Sequence, residues 1–217
     1  MSYELLDAIL TWLPKVFFGV IFITTVFLYY FSALKEKLLV IISIGFYVFY
    51  AAILTISQYY IWSQNKLTQV LLNLSVDFSA IPISGIFKFF CKFVDCQKHG
   101  YFLFYTYGRF WMNIFISIAV AFGFYLFLKF LKKYKERFFE EGEIELGFLA
   151  ALISGWPNFV VFLPIVFVSV VLISIFRRIF WKEFYTTLGW PFILSTLLVL
   201  IFGNKLIDIF SLGVLRI

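Results

Sequence analysis

The sequence predicts an all-α polytopic membrane protein, a transmembrane helix bundle of about six to eight segments. Three observations carry that expectation. The chain is 63% hydrophobic and only 14% charged, where a soluble domain is about 45–50% apolar and about 25% charged. Its mean hydropathy is +0.99. Long runs lack any Asp, Glu, Lys or Arg, and Gly, Pro and basic clusters punctuate them. So few charges cannot cover a water-facing surface, which excludes a soluble enzyme, a nucleic-acid-binding module and a disordered chain. One integral-membrane domain is expected over residues 1–217.

Each run is judged against the span of about 20 apolar residues that a bilayer requires. Val16–Leu34, Leu38–Asn65, Phe110–Leu128 and Phe184–Asn204 are uncharged and predict one span each. Leu146–Phe176 is also uncharged but too long for one upright helix. Gly155-Trp156-Pro157-Asn158 divides it into a short helix, a tight turn and a second helix, since Pro fits the first turn of a helix. Leu67–Phe87 is weaker because it carries Asp77, Pro82 and Gly85. Counting it makes seven membrane segments. Met1–Pro14 is too polar for the core of a cleavable signal, and Lys35 and Lys37 follow the first apolar run where a small-residue cleavage site would stand.

The net charge of +6 reflects 18 Lys and Arg against 12 Asp and Glu. In a membrane protein that excess sets topology and contact with anionic lipid rather than nucleic-acid binding. With the amino terminus inside and seven crossings, Lys35 and Lys37 fall outside. The clusters after Leu128 and after Phe176 fall inside. The inside bias is slight. Two Cys and one His cannot supply a four-ligand zinc site; no metal and no cofactor are expected.

The most polar stretch is Lys129–Glu145. Taken alone it reads as a solvated helix end with opposite charges at helical spacing, such as Lys132 and Glu136. Yet Glu140-Glu141-Gly142-Glu143-Ile144-Glu145-Leu146 leads directly into an apolar helix. Carboxylates therefore stand where a membrane helix begins, beside a glycine that permits close backbone approach.

These residues resemble the type IV prepilin peptidases, intramembrane aspartyl proteases with a G-x-G-D motif ahead of a small-residue helix. Here Glu140-x-Gly142-Glu143-x-x-Leu146 is similar, with Glu replacing the first Gly and the Asp. Leu188-Gly189-Trp190-Pro191-Phe192-Ile193-Leu194 resembles that family's P-F-G-P-F-L segment, and Asn65-Lys66-Leu67 the end of its first motif. The resemblance covers residues 55–217; residues 1–54 are amino-terminal spans. It implies a catalytic position at Glu143 and motif positions at Gly142, Gly189 and Pro191. The first catalytic Asp is expected at Ser57 or Gln58, neither of which ionises. A protease of this kind needs two carboxylates sharing a proton. The extra methylene of Glu143 would displace its carboxylate by roughly 1 Å, enough to cost about a hundredfold in rate. The resemblance thus implies a catalytically degenerate member, binding or processing the leader of pilin-like precursors at the cytoplasmic face of a bacterial inner membrane. If the fold is that of the protease, Ser57 or Gln58 should lie close to Glu143.

A different class competes. Arg109 with Asn113 four residues later, and Asp95 fourteen residues before, resembles the R-L-x-x-N core of ATP synthase subunit a. That resemblance implies a proton-path or accessory subunit of a mitochondrial inner-membrane complex. It lacks the later partners: Ile118 stands where an acid or His belongs, and no Gln follows Gln97. Arg109 also sits among Tyr101, Tyr105, Tyr107 and Trp111, the composition of an interfacial aromatic belt. Expected partners are membrane lipid and either a pilin-like precursor or the subunits of a complex. His99, alone in a polar connection, is expected to be solvated.

Overall fold

The computed structural model describes residues 3–31, 36–75, 96–134, 139–140, 142–180, 182 and 187–215. Asp77, Pro82, Gly85, Cys91 and Asp95 lie outside the described residues, as does most of Leu67–Phe87. Every regular element described is helical: α1 (Tyr3–Tyr30), α2 (Glu36–Gln64), α3 (Lys66–Leu72), α4 (Cys96–Thr106), α5 (Met112–Tyr134), α6 (Glu143–Ser154), α7 (Phe159–Phe180) and α8 (Gly189–Ile209). A π turn, Tyr107–Trp111, joins α4 to α5, and a 3₁₀ turn, Leu212–Leu215, follows α8. Among the described residues, five helical stretches are long and apolar enough to cross a membrane: Ala8–Tyr30, Lys37–Gln64, His99–Tyr134, Phe159–Phe180 and Gly189–Ile209. The chain is an all-α, polytopic integral membrane protein.

The predicted break at residues 155–158 is present. Gly155 ends α6 with φ +60°, a left-handed value that favours glycine. The twelve residues of α6 extend about 18 Å, short of a hydrocarbon core about 30 Å thick. Ten of those twelve are buried, whereas the spanning helices bury between 17% and 39% of their most apolar windows. Helix α6 is therefore the protein-enclosed centre, and the longer helices present their outer faces to lipid.

The chain packs as two compact units. The larger comprises Met1–Val48 and Ile114–Arg216. In it α7 and α8 pair extensively, and α6 packs on both as well as on α1. Leu146, Leu149, Leu152, Phe162 and Phe192 are fully buried there. Phe17 stacks on Phe46, so α1 and the first half of α2 run antiparallel. Tyr29 at the end of α1 adjoins Gly189 at the start of α8. Leu128, late in α5, adjoins Gly147 of α6. The carboxyl ends of α1, α5 and α7 thus share one end of this unit with the amino ends of α2, α6 and α8. Lys37, Lys129, Lys132, Lys133, Arg177 and Arg178 gather at this basic end. Lys37 is therefore not on the face opposite the Lys129 cluster, as seven successive crossings would require; the antiparallel α1–α2 packing places both at one end. Buried hydroxyls of Thr25, Ser43, Ser154, Ser195 and Thr196 each donate to the carbonyl four residues earlier, the means by which a helix carries Ser and Thr in apolar surroundings.

The smaller unit, Phe49–Asn113, is held by aromatic packing. Trp62, Leu72 and Phe102 form its buried cluster, with Tyr101 and Tyr105 against it. His99 Nδ1 lies 2.7 Å from the Leu72 carbonyl. A carbonyl only accepts, so the ring donates and ties α4 to α3. His99 is a tether here rather than a solvated loop residue.

Candidate functional site

Gly142 and Glu143 meet Leu188 and Gly189 at the basic end of the larger unit. Gly142 precedes α6 with φ +91°, a conformation that L side chains adopt rarely. This turn aims the Glu143 side chain at the start of α8. Its Oε1 accepts from Gly189 N at 2.6 Å. Its Oε2 accepts from Leu188 N at 3.2 Å and from Glu140 N at 3.0 Å. The first N–H groups of any helix lack an intrahelical partner. Here a carboxylate from another helix accepts from Gly189, the first residue of α8, and from Leu188 just before it, at the end where the helix dipole favours negative charge.

Glu143 is fully buried, with 0% of its surface exposed, and it stands outside the five spans. Burial pushes its carboxyl above the ordinary carboxylate range; the three backbone donors oppose that rise, and the neighbouring Glu140 charge adds to it. Gly189 makes the approach possible. A Cβ there would overlap the Tyr29 hydroxyl and come within 2.8 Å of Glu143 Oε1. Pro191, also buried, occupies the first turn of α8, where the missing N–H costs nothing.

Ser57 and Gln58 are half-buried on the second half of α2 and belong to the smaller unit. All the hydrogen-bond partners found for Glu143 are backbone groups of the larger unit. This site holds a buried carboxylate in place. It leaves none of the carboxylate surface open to a substrate.

Arg109 and Asn113 lie in the smaller unit, Arg109 on the π turn and Asn113 one residue into α5. Arg109 is exposed, and its Nη1 donates to the Tyr105 hydroxyl at 2.9 Å. Its guanidinium carbon sits 5.7 Å from the Tyr105 ring centre. The Trp111 indole donates to Thr55 at 3.2 Å. Among the described residues, no group of three or more His, Cys, Asp or Glu side chains is placed to hold a metal ion.

Sequence reasoning passed over Tyr29, an aromatic in an apolar run with nothing to distinguish it. It also missed the partnership of Glu143 with the Leu188 and Gly189 amides. Comparison with known proteins finds no family model, no curated protein and no solved structure that matches this chain.

Proposed function

We propose that this chain is a catalytically degenerate, prepilin-peptidase-like membrane protein that binds the leader of pilin-like precursors without efficient cleavage. One observation carries the reading: the segments resembling the two family motifs, Gly142-Glu143 and Leu188-Gly189, converge on one buried carboxylate. That carboxylate caps a helix instead of activating water. A shared-proton dyad requires a second carboxylate in contact and an accessible water, and Glu143 is fully buried. The exposed Glu140 and half-buried Glu145 would hold the basic residues of a leader at the membrane surface, and the flanking spans would hold its apolar segment.

The test is cleavage of a prepilin substrate in membranes. The unmodified chain is expected to cleave very slowly or not at all. Glu143→Asp combined with Ser57→Asp, or with Gln58→Asp, is expected to recover some cleavage, and each single change none. Robust cleavage by the unmodified protein that survives Glu143→Gln would overturn the assignment of the site.

A second reading, as a proton-path or accessory subunit of an ATP synthase or respiratory complex, draws support from the π turn. Such insertions in helices occur frequently at functional sites, and this one presents Arg109. Loss of proton translocation on Arg109→Ala in a reconstituted complex would favour that reading, and unchanged translocation would exclude it.

A further inference from the structure

Helices α5 and α7 run in the same direction in the larger unit without packing along their full lengths. Phe124 of α5 closes on Phe159 and Phe162 of α7 at 5.5 Å and 6.1 Å between ring centres. Toward the basic end an apolar cavity of about 240 Å³ separates them. Leu128 and Leu131 of α5, Val166 and Val170 of α7, and Leu188 and Phe192 at the start of α8 line it. Phe127 and Phe167, which also line it, are 47% and 58% exposed and form a lip on the membrane-facing surface. In a bilayer such a cavity takes hydrocarbon.

Charge at its upper end selects what that hydrocarbon belongs to. Residues three, four and seven apart share a helix face. On α5 the stripe through Phe124 and Leu128 continues to Lys132. On α7 the stripe through Leu163, Val166 and Val170 reaches Arg177, about 10 Å beyond Val170. Lys133 and Arg178 adjoin those two residues and are exposed. Both helices that wall the cavity therefore end in basic residues. An apolar slot beneath a pair of basic helix ends matches one amphiphile, an acyl chain bearing a phosphate.

We infer that this cavity binds one anionic phospholipid, an acyl chain lying between α5 and α7 with its headgroup phosphate at Lys132, Arg177 and Arg178. The site is independent of the Glu143 reading: the carboxylate takes no part, and Leu188 and Phe192 of the motif-like segment serve only as apolar wall.

Native mass spectrometry of the detergent-solubilised full chain with equal amounts of phosphatidylglycerol and phosphatidylcholine reads the preference directly. The wild type should retain one phosphatidylglycerol well in excess of phosphatidylcholine. Each basic residue near an anionic headgroup is worth about fivefold in affinity. Lys132→Gln with Arg177→Gln should therefore lower the preference by about 25-fold, toward equal retention. Val170→Trp, which fills the cavity and leaves the charges in place, should reduce retention of both lipids. Equal retention by the wild type would overturn the inference, as would an undiminished preference in the charge variant. Wild-type retention by the Val170→Trp protein would overturn the placement of the chain.

Discussion

Glu143 costs desolvation and repays it through geometry. Three backbone N–H groups reach its carboxylate, and two of them would otherwise be orphan donors at a buried helix start. Replacing it with Gln keeps the length but leaves one acceptor oxygen and no charge. At least one N–H of Leu188 or Gly189 then lacks a partner, at a cost of about 1–3 kcal/mol. Thermal unfolding in detergent is expected to show that loss for Glu143→Gln and a larger one for Glu143→Ala. Unchanged stability in both would mean the cap contributes nothing. Gly189 gives a matched test from the other partner. Gly189→Ala pushes a methyl into the Tyr29 hydroxyl and toward Glu143 Oε1, and overpacking of this kind costs about 1–3 kcal/mol. Adding Tyr29→Phe removes the nearest clashing atom, so the pair is expected to be less destabilised than the two single losses added together. Strict additivity would place the strain elsewhere.

At the level of elements, α6 is set apart by its enclosure. The turn that ends it holds Gly155 at φ +60°, and a Cβ there would stand 2.8 Å from the Tyr47 hydroxyl. That hydroxyl donates to the Leu152 carbonyl at 2.6 Å, one of the last acceptors of α6. Gly155→Ala therefore combines a disfavoured φ with a displaced hydrogen bond. Strained positive φ costs about 1–3 kcal/mol at a non-glycine residue, and unfolding is expected at a correspondingly lower temperature. Tyr47→Phe in the same background should recover the steric part alone. The position of this break was legible, because Gly-Trp-Pro-Asn interrupts an otherwise uniform apolar run. The enclosure of α6 was not. In a membrane protein, lipid-facing and protein-facing surfaces are equally apolar, so hydropathy alone does not separate α6 from α7. Gly142 and Gly189 stood out through the family resemblance. The meeting of Glu143 with Gly189 across 46 residues, with Tyr29 against Gly189, belongs to tertiary packing that no local pattern encodes.

Taken as a whole, the larger unit is electrically lopsided along its helices. Lys37, Lys129, Lys132, Lys133, Arg177 and Arg178 mark one end. Lys15 stands about 21 Å from Tyr29 along α1, and Lys205 about 24 Å from Gly189 along α8, both toward the other end. Basic residues near span ends accumulate on the cytoplasmic side, so the basic end is expected inside. Helix α1 then enters from outside, and the first half of α2 starts back from the inside. Helix α5 returns inside, α6 and α7 make a hairpin open to the inside, and α8 exits. The concentration of basic residues at one end of this unit orients it. Single cysteines at Lys132 and Lys205 test it, in a background where Cys91 and Cys96 are replaced by Ser. A membrane-impermeant maleimide applied to intact cells is expected to label the Lys205→Cys protein and spare the Lys132→Cys protein until the membrane is opened. The reverse pattern would invert the orientation, and labelling of both from outside would mean that α8 does not cross the membrane between Gly189 and Ile209.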